Sequence, residues 1–285
     1  MRNLQDVEIT IRVIQTTGDR ILDTSLSTIG EKGLFTKEVE EALLDGTVDL
    51  AVHSLKDLPT VQPDGLSIAA VTTREKPNDV LIAKNFGAIS EIPRDGRVAT
   101  GSLRRRSQLL SMRPDLQVVD IRGNVPTRIN KFLASDLDAM ILAYAGVHRL
   151  GLDSHIGGVI PVCEMLPAVG QGALAIETRS EDERTLNACR TLNDPESELC
   201  AMAERSFLRS LEGGCQVPIA ALARISGSEI DLTGFVGSVD GKLSVKEKLA
   251  GAVADAEKIG IELADICIEK GAKRILADAR AAVMG

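Results

Sequence analysis

Residues 7–14, "VEITIRVI", alternate polar or charged with apolar side chains, and this period of two predicts a strand. The period then lengthens. In "KEVEEALLDGTVDLAVHS" the apolar Val39, Ala42 and Leu43 share one helical face. That spacing predicts a helix over 37–45, a turn at Asp45-Gly46 and a strand over 49–53. The same grammar returns in "TRINKFLASDLDAMILAYA", where Phe132-Leu133 take the place of Leu43-Leu44 and Asp138-Ala139 that of Asp49-Leu50. Two helix–turn–strand units of one design point to two similar α/β domains, although αβ units in general share this grammar.

Between the two units the alternation is regular. Arg97 to Thr100 predicts a strand, Ser102 a helix cap, Gln117 to Ile121 a second strand, and Pro126 the start of another helix. This is the order of a doubly wound α/β sheet. Residues 180–211 predict helices. Ser180 and Glu183 have capping-box spacing, and Asp194-Pro195 opens a second helix with Leu199, Cys200, Ala203, Phe207, Leu208 and Leu211 in register. Gly213-Gly214 would end it, leaving Cys215 just past a helix C-terminus. The tail alternates two strands, "EIDLTGFVGSVDG" and "LSVKEKLAG", with a helix, "DAEKIGIELADICIEKGA". The expected organisation is α/β throughout. Domain 1 takes residues 1–72 and 173–190, domain 2 takes 78–166, and a small α+β domain 3 takes 195–285.

Composition narrows the functions open to such a chain. Its 285 residues are enough for two or three domains. A net charge of −8 disfavours nonspecific nucleic-acid binding, and an aromatic content of 2% with no Trp removes most base-stacking platforms. No apolar run approaches the roughly 18 residues of a membrane span. Five cysteines without a CxxC pair or an even framework suit free thiols in a reducing cytosol. Cys163, Cys189, Cys200 and Cys267 lie on apolar or helical patterns and read as packing residues. His53, His148 and His155 have no metal-ligand spacing and read as structural.

The arginines stand out against this acidic background. Arg104, Arg105 and Arg106 fall in the first turn after Ser102, Arg122 ends a strand, Arg128 lies in the next helix's first turn and Arg149 follows a further strand. Cations at helix N-termini oppose the helix dipole, so local stability does not explain them. Helix starts at the carboxyl ends of strands are anion sites in α/β folds, and several guanidinium forks suit a ligand with many carboxylates or phosphates. A solvated basic face is the competing reading. In "HSLKDLP", Lys56-Asp57 puts a carboxylate on a loop at a strand end, either as an Asx-turn residue or as a group that stabilises a developing cation or moves a proton. Cys215, after a Gly-Gly pair in "LEGGCQVP", is a buried thiol or one that carries something.

Taken in order, "EKGLFTKEVE", "DLAVHSLKDLP", "ATGSLRRRSQL", "IRGNVPTR", "ILAYAGVHRLGL", "LPAVGQGALAIE" and "LEGGCQVPIA" closely resemble the porphobilinogen deaminase (hydroxymethylbilane synthase) family over essentially the whole chain. The resemblance implies two doubly wound domains like the lobes of periplasmic binding proteins, plus a small α+β C-terminal domain. It implies a cytoplasmic, monomeric transferase of porphyrin (haem) biosynthesis. Such an enzyme condenses four porphobilinogens head-to-tail into hydroxymethylbilane with loss of ammonia, primed by a dipyrromethane cofactor held as a thioether on Cys215. Neither membrane, nucleic acid nor metal is expected. Asp57 would be the catalytic carboxylate. Lys56, Ser102, Arg104, Arg105 and Arg128 would hold the cofactor, and Arg122, Arg128 and Arg149 the substrate. Lys32 and Phe35 would belong to a lid and Gln171 to the hinge. The resemblance also implies an earlier strand and helix with a "TRxSxLA"-like segment. This sequence begins at "MRNLQDVEIT", without those roughly thirty residues, so low activity of the chain is expected. Thr28 also stands where many relatives have a Lys. The rival readings are an inactive deaminase and a non-catalytic two-lobed polyanion binder.

Overall fold

The computed structural model describes residues 8–17, 36–212 and 217–284. Three sheets organise them. The first is built from β1 (Leu50–Ser54), β2 (Leu66–Val71) and β8 (Leu174–Arg179) in the order β1-β8-β2, all antiparallel. Its central strand comes from far along the chain, so the backbone leaves this sheet after β2 and returns to it only at β8. Helix α1 (Lys37–Leu44) packs on it through Leu43, against Ala51 and Leu66. The turn between α1 and β1 is fastened by Thr47 N–H donating to the Asp45 carboxylate at 2.8 Å.

The second sheet holds β3 (Asp79–Ala83), β4 (Arg97–Ala99), β5 (Gln117–Val119), β6 (Ala139–Ala143) and β7 (Gly158–Val159), in the order β5-β4-β6-β3-β7. β5, β4 and β6 run parallel, and β3 is antiparallel to both its neighbours. Parallel neighbours need crossovers. Helices α2 (Leu103–Met112) and α3 (Val125–Leu133) supply them, and the short α4 (Tyr144–Arg149) follows β6. All five residues of β6 are buried, between one core around Phe132 and Met140 and another around Leu109 and Ile141. The helix starts of α2, α3 and α4 therefore gather at the carboxyl ends of β4, β5 and β6.

The third unit is an antiparallel meander of β9 (Ile219–Ser226), β10 (Glu229–Gly237) and β11 (Ser244–Ala252). It is covered by α6 (Pro195–Ser210), α7 (Ala256–Glu269) and α8 (Ala272–Met284) around Phe207, Ile230, Leu232 and Leu263. α5 (Glu183–Arg190) lies on the first sheet through Leu186 and Cys189. The architecture is mixed α/β with a small α+β C-terminal part, the class that the sequence leads one to expect.

Some expectations change. Residues 8–16 form no strand. Ile9, Ile11 and Val13 alternate as required but are 77–86% exposed, and without a ladder partner among the described residues alternation alone makes no strand. The cap of α5 is Asp182, not Ser180. Ser180 N–H is engaged by Gly65 O at 2.8 Å, while the Asp182 carboxylate accepts from Thr185 N–H at 3.0 Å. Cys163 is exposed rather than packed, because it sits in the turn where Glu164 N–H and Met165 N–H both donate to Pro161 O. α7 stops at Glu269, short of the predicted end, with Gly271 separating it from α8. The sequence pattern predicts no element over β2, β3, β7, β8, β9, α4 or α8. Asp194 caps α6 as expected, accepting from Ser197 N–H at 2.9 Å. The Gly213-Gly214 stop lies outside the described residues.

Candidate active site

β1 runs into a 3₁₀ turn, Leu55–Asp57, whose first residue is buried under the sheet. Leu55 N–H donates to Ala173 O at 3.1 Å, tying the turn to the segment that returns to the first sheet. Lys56 is half-buried and Asp57 exposed. Among the described residues nothing donates a hydrogen bond to the Asp57 carboxylate, so it does not serve as an Asx-turn acceptor. Burial pulls the Lys56 ammonium below its ordinary range; the Asp57 charge opposes this and the Arg105 guanidinium adds to it.

The arginines of α2 do not form a solvated face. Arg104 and Arg105 are 4% and 5% exposed and turn inward onto Asp79, which is fully buried at the head of β3. Arg104 Nη1 donates to Asp79 Oδ2 at 2.7 Å and to Leu166 O at 2.8 Å. Arg105 Nε and Nη2 donate to Asp79 Oδ1 at 3.1 and 2.8 Å, and its Nη1 to Ile141 O at 3.1 Å. Burial alone would raise the Asp79 carboxyl, but Arg104 and Arg105 outweigh it and hold the group well below the usual carboxylate range. This buried acid is what makes cations tolerable at the start of α2. Two guanidiniums share one carboxylate, so one positive charge is left over. Ser102 caps the same helix, its Oγ accepting from Arg105 N–H at 3.5 Å.

Arg128 stands beside this group. Its Nε donates to Gly123 O at 2.6 Å, and no carboxylate among the described residues pairs with it. Burial, with Arg105 and Arg122 as charged neighbours, pulls it down to about 10; Asp57 is the one opposing charge. Arg122 is half-buried past the end of β5, its pKa lowered by burial and held up by Asp120. Lys56, Asp57, Arg104, Arg105, Arg122 and Arg128 thus belong to one electrostatic neighbourhood in which, among the described residues, cations outnumber carboxylates. Arg149 is further out, exposed at the end of α4, with Nη2 donating to Gly172 O at 2.7 Å. Gln171 is buried between the sheets, its Nε2 donating to Pro77 O at 2.6 Å and Asp79 Oδ1 at 3.0 Å. Cys215, Lys32 and Phe35 lie outside the described residues, as does Thr28.

Four features of the site's support escaped the sequence reading. They are Asp79 itself, the Arg74–Glu204 ion pair, the His53–Glu177 pair (Nε2 to Oε2, 3.1 Å) beneath the Asp57 turn, and Arg205 against Leu58 and Pro59. An acid opening an apolar run, as in "NDVLIA", was the one available signal for Asp79.

A half-buried Arg128 without a carboxylate partner, at converging helix starts, fits a ligand that brings carboxylates of its own. The class so defined is an α/β protein of polycarboxylate chemistry with an appended α+β domain. The model of "Porphobilinogen deaminase, dipyromethane cofactor binding domain" matches residues 1–187, and that of "Porphobilinogen deaminase, C-terminal domain" matches residues 198–268. The porphobilinogen deaminase of Chlorobaculum parvum is 51% identical over 282 residues, 98% of this chain and 90% of its own length. That of Chloroherpeton thalassium is 52% identical over 283 residues, with the same coverage. Among solved structures, the Bordetella pertussis BvgS periplasmic VFT2 domain aligns over 55% of this chain and 65% of its own at a TM-score of 0.35 and 14% identity. The chain belongs to the porphobilinogen deaminase family, whose members are hydroxymethylbilane synthases of tetrapyrrole biosynthesis. It carries that family's dipyrromethane-binding domain. No helix among the described residues is long and apolar enough to cross a membrane.

Proposed function

We propose that Asp57 is the catalytic carboxylate of this hydroxymethylbilane synthase and that the surrounding cations hold the carboxylates of cofactor and substrate. The observation that carries the reading is an exposed, unbonded Asp57 carboxylate in the same electrostatic neighbourhood as a half-buried Arg128 with which no carboxylate of the described residues forms an ion pair. Each porphobilinogen brings two carboxylates, so a growing chain needs fixed cations. As ammonia leaves the substrate, positive charge develops on the pyrrole and its methylene carbon. An ionised carboxylate held beside that carbon stabilises the charge and can take up or return a proton.

In this reading Lys56, Ser102, Arg104, Arg105 and Arg128 face the cofactor, Arg104 and Arg105 through the surplus charge of their cluster with Asp79. Arg122, Arg128 and Arg149 face the incoming substrate. Gln171 belongs to the hinge, Lys32 and Phe35 to a lid. A dipyrromethane held as a thioether on Cys215 supplies the free pyrrole carbon that begins the chain. The enzyme works as a monomer in the cytoplasm, in three domains with the boundaries given above. Intact mass and turnover test the reading together. Cys215→Ser loses the mass of the adduct and its colour with Ehrlich's reagent. Asp57→Asn keeps the adduct and loses roughly 10²–10³ in turnover, the usual worth of one electrostatic stabiliser. Normal turnover in Asp57→Asn rejects its role, and an adduct retained in Cys215→Ser rejects the attachment.

A further inference from the structure

Arg205 is a buried cation that this reading leaves unused. It lies on α6 in the C-terminal part, 9% exposed, yet its guanidinium reaches across to the first sheet. Nη1 donates to Leu58 O at 3.2 Å and Nη2 to Pro59 O at 2.6 Å. Those two carbonyls directly follow the turn that carries Lys56 and Asp57. The Leu58 side chain is buried in the core it shares with Leu55, Val71 and Ala201 of α6, and hydrogen bonds orient the backbone around it. Leu58 N–H closes onto Leu55 O at 3.3 Å, Gln62 Nε2 donates to Pro59 O at 2.7 Å, and Pro59 has no N–H to offer.

Burial makes this an expensive place for a cation. It pulls Arg205 down to about 10, with Arg209 adding to the effect and the buried Glu177 opposing it. An apolar side chain would pack in such a place without that desolvation cost. What the guanidinium adds is geometry: a planar fork that holds two successive carbonyls at once. Its neighbour Glu204 anchors the same helix to the segments linking the two α/β sheets, through Arg74 and Gly170 N–H. α6 is therefore held on one side to the hinge and on the other to the Asp57 turn, and along the sequence it leads to Cys215.

We propose that Arg205 is a positioning residue for Asp57: it sets the catalytic turn against α6, so that the carboxylate and the domain carrying the cofactor thiol keep a fixed relation. The proposal rests on Asp57 being the catalytic carboxylate. The test is a kinetic cycle on the full, cofactor-loaded chain, comparing wild type, Arg205→Gln, Arg205→Lys, Asp57→Asn and the Arg205→Gln/Asp57→Asn double variant. Turnover is expressed per loaded molecule, with loading counted by intact mass. Arg205→Gln is expected to lower kcat about ten- to a hundredfold, the cost of misplacing a reacting group by an ångström or less, with KM nearly unchanged. Arg205→Lys, which keeps a donor and the charge, recovers part of the loss and still reports if the Gln variant does not fold. With Asp57 already replaced by Asn, Arg205→Gln costs less than about twofold more, because both changes act at one step. An Arg205 that only stabilises the fold would reduce the yield of loaded protein while leaving kcat per loaded molecule intact, and that result overturns the proposal. So does an equal cost in both backgrounds. Normal turnover in Asp57→Asn overturns the underlying reading instead, and the positioning role with it.

Discussion

Arg74 and Glu204 tie three parts of the chain together through one buried carboxylate. Arg74 Nη1 donates to Glu204 Oε1 at 2.5 Å and Nη2 to Oε2 at 3.1 Å. Oε2 also accepts from Gly170 N–H at 2.7 Å and Oε1 from Ala223 N–H at 2.8 Å. Arg74 belongs to the irregular segment that leaves the first sheet after β2, Gly170 to the turn that precedes β8 and Ala223 to β9, so both crossings and the third sheet meet at one side chain. Glu204→Ala leaves Arg74 without its counter-ion and two buried amides without an acceptor. Breaking a buried pair of this kind costs about 3–5 kcal/mol. Glu204→Gln, which keeps one acceptor oxygen, should lose less. Denaturant midpoints give the order wild type, Gln, Ala; an Ala variant unfolding at the wild-type midpoint would refute the assignment.

The Asp79 cluster makes a prediction about acid. Arg104 and Arg105 hold the folded carboxyl well below the unfolded value of about 4. A group depressed in the folded state contributes stability above its unfolded pKa and loses it as pH falls toward the folded one. Asp79→Asn removes that contribution and leaves two buried guanidiniums without their anion. The stability gap between wild type and Asp79→Asn should thus be widest near neutrality and close progressively below pH about 4. Urea midpoints across the acid range measure it. A gap that stays constant on acidification would mean that Asp79 is not ionised in the fold.

How much of this was legible in the sequence depended on how local each signal is. The helix–turn–strand units, the Ser102 and Asp194 caps and the α6 periodicity arise from neighbours in the chain, and they appear where expected. The three-stranded order of the first sheet was invisible, because β8 pairs with strands more than a hundred residues earlier. The segment 7–14 misled because alternation reports a willingness to pair and not the presence of a partner. At the site, the arginine positions could be read but the direction of their side chains could not. Arg104 and Arg105 turn inward because of Asp79, whose burial depends on the packing of β3 between β6 and β7. Arg205 and Glu204 looked like ordinary polar positions on an amphipathic helix, since the surfaces that they meet come from other parts of the chain.

Arg128 provides a binding prediction. Its guanidinium is half-buried and has no carboxylate partner among the described residues, and in the proposed reading a carboxylate of the ligand supplies the missing charge. Hydrogen bonds to charged groups contribute about 1.5–3 kcal/mol, which corresponds to roughly ten- to 150-fold in kcat/KM. Arg128→Gln should lose about that much toward porphobilinogen and barely change the unfolding midpoint, because no internal ion pair is broken. Arg104→Gln should do the opposite in the fold, lowering the midpoint clearly, since it uncovers part of Asp79. Equal midpoint losses in the two variants would show that Arg128 is a structural cation like Arg104.

The last prediction concerns the seat of α6. Gly260 on α7 faces it so closely that a Cβ there would stand 2.3 Å from Ala203 O, 2.8 Å from Ser206 Cβ and 2.9 Å from Phe207 N. Two of those atoms are backbone and cannot swing aside. Helix propensity alone favours Ala over Gly by about 0.8–1.0 kcal/mol in a helix interior. Forcing extra volume into a packed core costs about 1–3 kcal/mol, and here it also pushes α7, with its fully buried Leu263, away from the fully buried Phe207 of α6. The contact outweighs the propensity, so Gly260→Ala should destabilise and Gly260→Ser should do so more. Because α6 carries both Glu204 and Arg205, its displacement should also reduce kcat at temperatures well below unfolding. Midpoints and kcat measured on the same preparations check both effects. An alanine variant at least as stable as wild type would mean that the two helices separate without cost, and that α6 is not held in place from this side.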